Sequence, residues 1–384
     1  MPCTSLDRKR RSAGPIATTR SSGRRRISFV VPGRRRSCSS WCKRGRSGRG
    51  GRAVSLQVEV RRGGRVESVH RVHVAVVDAA GRLRARAGEP DRWVFARSTA
   101  KPFQALPLVQ TGVAARFGVT EEELAVACGS HAGAPEHVAV VERLLARAGL
   151  GEQALGCGVH APWDASTRRA LRAAGADPRP VHHNCSGKHA AMLVLARGLG
   201  WPTDGYLRPE HPVQRRVWAE MARWAGMAEE AVEVAVDGCG VLTFRLPLRQ
   251  LALAYARLGA AARRGEEAPA AVVGAMIRHP ELVAGRDRLC TDLMRVTAGR
   301  LVAKLGAEGV YAVAAPGAEL GIAWKVEDGA FRAVGPAVLA ALEQLELLTE
   351  EELGRLQHHA FPEVHNTRGE RVGELCPVGR LEAA

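Results

Sequence analysis

At 384 residues the chain is long enough for one large domain or two ordinary ones, each with a substantial core. Its formal charge of +17 would fit a nucleic-acid binder, but residues 1–53 hold 16 Lys+Arg against the single acid Asp7, and the remainder carries 40 against 38. A nearly neutral body argues against a folded nucleic-acid-binding face. The lack of any 18-residue apolar run excludes a membrane-spanning helix, and nine scattered cysteines, an odd number, exclude a disulfide framework.

Residues 1–53 are rich in Arg, Ser and Gly without an apolar period, which predicts a basic, disordered N-terminal extension. Three readings compete: a transit-type segment, a nucleic-acid-binding arm, or an idle extension from a start codon set too early. Ile27–Val31 is too short for the apolar core of a signal peptide. A soluble, cytoplasmic catalytic domain with reduced thiols is therefore expected over residues 54–384.

Strands are predicted at Ser55–Arg61, Val66–Val77 and Leu83–Ala87, separated by Gly63-Gly64 and Asp78–Gly81 turns. Trp93–Arg97 reads as a further strand feeding into Ser98. The pattern then turns helical over Thr99–Thr111, with Pro102 tolerated in the first turn. Thr120 and Glu123 form a capping box for a helix through Ala127, which runs into a glycine-marked bend at Cys128-Gly129-Ser130-His131. Helices follow at 135–148, 166–174, 187–198 and 212–225. Glu233–Val236 is a short strand ending in the turn Asp237-Gly238-Cys239-Gly240. Helices at 248–262, 267–278 and 291–299 precede strands at Val310–Ala314 and Gly321–Val326, with Glu370–Val378 as a closing strand. Strands at both ends of the sequence and a helical middle predict an α+β arrangement, in which a sheet from the chain ends packs beside a helical lobe.

The chemistry gathers in a few blocks. Ser98 and Lys101 stand at i and i+3 and share a helix face. A serine hydroxyl needs a base, and a lysine can be that base only when burial or a neighbouring cation keeps it neutral. The flanking Phe95 and Phe103–Leu108 would desolvate it, although an ordinary solvated lysine explains the bare pattern as well. Ser130 sits at a glycine bend that can expose a side chain, or merely ends a helix. Lys304, in Lys304-Leu305-Gly306 before a strand, is similar to the lysine element of penicillin-recognising enzymes.

Cys185 and Lys188 repeat the i, i+3 spacing at a helix entry, and Cys239 lies in a glycine-rich turn. Two thiolates and a nitrogen suit zinc by softness; two buried structural cysteines are the plain alternative. Cys185 is also readable as a nucleophile with His189 as its base. His182 and His183 are further ligands or simply line a loop. Asp237 either orients a cationic group or caps its turn.

Taken together, Arg97–Gln104, Ser130–Gly133, His183–His189, Asp237–Gly240, Glu67–His70 and Lys304–Gly309 resemble the rhizobial-type (class 3, Asparaginase II) L-asparaginase family, from about residue 55 to 379. The resemblance implies a fold similar to serine β-lactamases and glutaminases, a homodimer, and hydrolysis of L-asparagine to L-aspartate and ammonia by two serine–lysine tandems. By position these are Ser98 with Lys101 and Ser130 with Lys304. It places zinc on Cys185, Lys188 and Cys239, and the substrate beside Asp237. Two departures are Leu242, where the family tends to have proline, and Ala134, where a polar residue is common. A glutaminase or β-lactamase-like hydrolase would use the same machinery, and a silent nucleic-acid-binding or regulatory module led by the basic arm is the alternative from another class.

Overall fold

The segments of two-residue period at the two ends of the sequence pair with each other. The computed structural model describes residues 55–384, which lie within one unit, Arg49–Ala384. The expected leader and its boundary at residue 53 lie outside the described residues. In chain order the strands are β1 (Gln57–Arg62), β2 (Arg65–Asp78), β3 (Leu83–Ala87), β4 (Trp93–Phe95), β5 (Glu233–Val236) and β6 (Leu242–Pro247). They continue with β7 (Val302–Leu305), β8 (Val310–Ala315), β9 (Leu320–Val326), β10 (Glu363–His365), β11 (Arg371–Val378) and β12 (Glu382–Ala383). The large sheet runs β10-β11-β1-β2-β9-β8-β7, with β3 between β2 and β12. Every pairing in it is antiparallel, and β1 lies between β2 and β11. The expected sheet from both chain ends is what forms.

The helical middle comprises α1 (Lys101–Gln110), α2 (Val113–Arg116), α3 (Glu121–Ala127), α4 (Pro135–Arg147), α5 (Ala165–Ala173), α6 (Ser186–Gly198) and α7 (Pro212–Ala225). It continues with α8 (Leu248–Arg263), α9 (Glu267–Arg278), α10 (Pro280–Ala284) and α11 (Leu289–Val296). After the last central strand come α12 (Val334–Gln344), α13 (Glu350–Arg355) and α14 (Gln357–Ala360). Helix α8 packs on β2, β8 and β9, while α12 packs across β1, β8, β9 and β11. Covered on both faces, β8 is buried at every position, and its sequence is accordingly an unbroken apolar run. At Gly321 a Cβ would strike the backbone carbonyl of Ala252, so only glycine lets α8 lie this close to β9.

The expected elements recur with small shifts, and three differences are informative. The strand expected over Trp93–Arg97 stops at Phe95, because Arg97 turns into a left-handed conformation (φ 49°) and opens a single 3-10 turn through Ala100. Helix α12 was not anticipated; Gly335 and Pro336 fall in its first turn, where proline costs no hydrogen bond. Strand β6 was also missed; it pairs with β4 and β5 in a small second sheet.

Among the described residues Cys128, Cys157, Cys185, Cys239 and Cys290 are free thiols, as expected. Among the described residues no helix is long and apolar enough to cross a membrane.

Candidate active site

Helix α1 is buried along its first eight residues, so its first residue, Lys101, is carried into the core. The Lys101 ammonium donates to the carbonyls of Gly129 (2.5 Å) and Asn184 (3.2 Å) and to Ser130 Oγ (3.0 Å). From the opposite side Lys304, on β7, reaches the same Oγ at 2.9 Å. Ser130 therefore bridges two lysines contributed by a helix and a strand. Its own position is fixed by a glycine: a Cβ at Gly129 would meet the Leu282 carbonyl at 2.7 Å, and the Ser130 amide donates to Val283 O at 2.8 Å. His131 braces the bend, because the Gly133 amide donates to its Nδ1 and its Nε2–H donates to Ser186 Oγ (2.9 Å). Burial holds His131 neutral, which that arrangement requires.

Two ammonium groups cannot both lie against one hydroxyl in a dry site at low cost. Burial lowers the pKa of Lys101, and burial together with the charge of Lys101 brings Lys304 down to about 7. With one lysine neutral, Ser130 donates its proton to that amine and accepts from the other. A hop of two protons along this chain moves the neutral form from one lysine to the other without moving a heavy atom.

Ser98 occupies the 3-10 turn ahead of α1, is partly exposed and opens onto a cavity of about 520 Å³. Among the described residues its hydroxyl makes no hydrogen bond, so Lys101 is engaged with Ser130 and not with Ser98. Two amides at the start of this turn are already engaged: Arg97 N–H donates to Thr243 Oγ1 and Thr99 N–H to Ala96 O.

The cavity is also lined by Ser130, Asn184, Cys185, Asp237 and Cys239. Asp237 accepts from Arg97 Nε at 2.7 Å and from its neighbouring Gly238 amide. The remaining wall includes His160, Trp163, Arg288 and Phe331, with the Arg288 guanidinium stacked 5.4 Å from the Trp163 ring centroid. Sequence reasoning missed these wall residues. None lies in a motif, and only the fold assembles them; Asn184 alone stood in a block that had been singled out.

The three soft donors also converge. Lys188 Nζ lies 3.0 Å from Cys239 Sγ, and Cys185, Lys188 and Cys239 are all buried. The neighbouring Cys239 outweighs burial and holds Cys185 well below the usual thiol range, while Cys185 and burial push Cys239 up. Burial opposes charge on Lys188, but the adjoining sulfurs overcome it and raise its pKa. One thiolate paired with one ammonium is thus stored in the apolar interior. Two sulfurs and an amine in contact fit zinc by donor type, provided that Lys188 gives up its proton on binding. His183 serves this cluster from behind, its Nδ1 accepting from the Cys185 amide (3.0 Å). His189 is turned away: its Nδ1 is bonded to Tyr206 OH (2.7 Å), so it is not placed as a base for Cys185. His182 Nδ1 accepts from the Arg179 amide and is likewise remote from the thiols' hydrogen bonds.

Residues 58–377 match the family model described as L-asparaginase II. The chain belongs to the L-asparaginase II family. Comparison with curated proteins found no match. Among solved structures it is similar to Mglu in its native form (18% identity, TM-score 0.41, covering 72% of this chain and 61% of that one). It is also similar to a β-lactamase from Mycobacterium bovis (15% identity, TM-score 0.32, covering 71% and 94%). The chain thus spans about 61% of the length of that Mglu structure.

Both departures from the family pattern have visible consequences. Ala134 is the N-cap of α4 and supplies no side-chain cap. Leu242 begins β6, and its amide donates to the buried Gln214 side chain at 3.2 Å, a bond that proline could not make.

Proposed function

We propose that this protein hydrolyses L-asparagine to L-aspartate and ammonia through an acyl-serine intermediate. The observation that carries the reading is the buried chain Lys101–Ser130–Lys304, with Ser98 facing the cavity one helical turn from Lys101. The sequence of events begins when a proton hop through Ser130 leaves Lys101 neutral. Lys101 then takes the Ser98 proton as Ser98 Oγ bonds to the side-chain amide carbon. The missing Ser98–Lys101 hydrogen bond is the kind of contact that closes when substrate fills the site. Protons returning through Lys101 and Ser130 reach the amide nitrogen, the C–N bond breaks, and ammonia leaves. Water then attacks the ester, releasing L-aspartate and restoring the serine proton.

Asp237 lies where it can receive the substrate's ammonium, and Arg288 where it can receive a carboxylate. Cys185, Lys188 and Cys239 would hold zinc. When bound, that ion supplies positive charge that orients the substrate; the serine is already an independent nucleophile. These three residues would bind and position; they do not move the reacting proton. The homodimer implied by the family likeness is part of the same proposal and is tested by sedimentation.

A second reading, favoured by the two lysines on its hydroxyl, has Ser130 form the ester. The test is ammonia release from L-asparagine and L-glutamine by the zinc-supplied protein, with mass mapping of the acylated peptide. Asparagine-selective release, a label on Ser98 and loss of at least about a thousandfold in kcat for Ser98→Ala support the main reading. A label on Ser130 with Ser98→Ala still active establishes the second, and selective turnover of glutamine or a chromogenic β-lactam instead reassigns the substrate. No turnover by folded protein overturns the proposal. Cys185→Ala is expected to raise KM more than it lowers kcat.

A further inference from the structure

We propose that Asp292, His358 and His359 form a second metal site, for a divalent transition cation, beside a cavity that also reaches the Ser130–Lys304 pair. This cavity, of about 310 Å³, has Ser130, Lys304, His358 and His359 on its wall. It is separate in chemistry from the thiol cluster: no sulfur takes part.

The geometry is that of a chelate waiting for its ion. One ligand atom from each of the three residues lies within 4.8 Å of the other two. Both imidazole Nε2 atoms converge on the same oxygen, Asp292 Oδ2, at 2.8 Å from His359 and 3.6 Å from His358. A simple hydrogen bond would need one ring. The second ring is too far from that oxygen for a hydrogen bond but close to the separation of about 3.3 Å between neighbouring ligand atoms on a tetrahedral ion with bonds near 2.0–2.1 Å. The two rings lie 4.0 Å apart and tilted by 41°, so they do not stack flat and both edges face the carboxylate.

The supporting shell is rigid on both sides. Asp292 projects from α11, and α14 carries the adjacent histidines. Helix α14 is pinned to α12 by Gly335, where a Cβ would meet the His359 carbonyl at 2.5 Å. Two imidazoles and one carboxylate select zinc, cobalt, nickel or copper over calcium or magnesium, which prefer all-oxygen cages. His358 is 60% exposed and His359 and Asp292 are 16% and 20% exposed, so an ion has access from solvent. A bound ion would tie α14 to α11 and leave a coordination position free.

The test uses the full chain without an affinity tag, titrated with Co2+ under anaerobic conditions and followed by visible absorption and calorimetry. Cobalt on thiolates gives an intense near-ultraviolet charge-transfer band, whereas cobalt on nitrogen and oxygen gives only weaker visible bands. The expected result is an equivalent of cobalt that lacks the thiolate band, persists in Cys185→Ser and is lost in the double variant His358→Ala/His359→Ala. Should that variant fail to fold, His358→Gln, at the most exposed of the three positions, is expected to weaken this equivalent at least tenfold. The proposal is overturned if no equivalent lacking the thiolate band binds, or if it survives unchanged in these variants.

Discussion

The Arg97 guanidinium lies 2.7 Å from the Asp237 carboxylate, and Arg97 holds that contact from a left-handed backbone conformation. A non-glycine residue at φ 49° stores strain on the order of 1–3 kcal/mol. The strain sits directly before Ser98, and the ion pair across the cavity rim keeps the turn from relaxing. With side chains 25% and 10% exposed, the pair is only partly screened by water.

Asp237→Asn is therefore expected to lower stability by about 1.5–3 kcal/mol, the range for a hydrogen bond to a charged group. If Asp237 also receives the substrate ammonium, KM for asparagine rises by more than kcat falls. Urea unfolding and steady-state kinetics on one preparation check both parts; an unchanged KM removes Asp237 from substrate binding.

The pKa of Lys304, at about 7, gives two pH dependences. A relay that needs one neutral lysine loses activity on acidification, so kcat/KM should climb between pH 6 and 8 and level off above. Stability depends on the same group over a different window. Its folded pKa lies below the unfolded value of about 10.4, so the unfolded chain holds more protons between the two. This group's contribution to stability therefore rises with pH from about 7 to about 10.4 and is flat below. Lys304→Arg, permanently charged, cannot take up the proton that Lys101 passes through Ser130, so the climb in rate around pH 7 should disappear. A rate that falls from pH 6 to pH 8 would contradict the relay.

Leu242→Pro restores the residue usual in the family but removes the amide that donates to Gln214. Gln214 is fully buried, and its oxygen would be left without that partner. The expected cost is about 1–3 kcal/mol, measurable as a lower midpoint in thermal or urea unfolding. A variant as stable as the parent would show that Gln214 repacks freely.

The sequence disclosed the residue types of the site far better than their pairings. Serine and lysine three residues apart on a helix pointed to a local tandem of Ser98 with Lys101. The observed hydrogen bonds run from Lys101 to Ser130, across 29 residues, and from Lys304 to Ser130, across 174, and only the second is a pair that the family resemblance implied. Periodicity cannot register such contacts, because they depend on how β7 and the bend after α3 meet. The strands of the large sheet were legible through their alternation, and the capping box at Thr120 through its spacing. Helix α12 was hidden by glycine and proline that serve its first turn. The left-handed Arg97 carries no compositional mark at all, since arginine has no preference for that region.

The bridging of two distant lysines by Ser130 also bears on how the chain acquires its activity. Elements separated by 174 residues must dock before the relay exists, and the closure of so long a loop is paid late, after local helices have formed. On dilution from denaturant, the far-ultraviolet helical signal should recover first and amide hydrolysis should lag behind it, following the arrival of β7 at the sheet edge. Turnover would then report the last assembly event rather than the bulk of the structure, and a partly folded population would be helical, compact and inert.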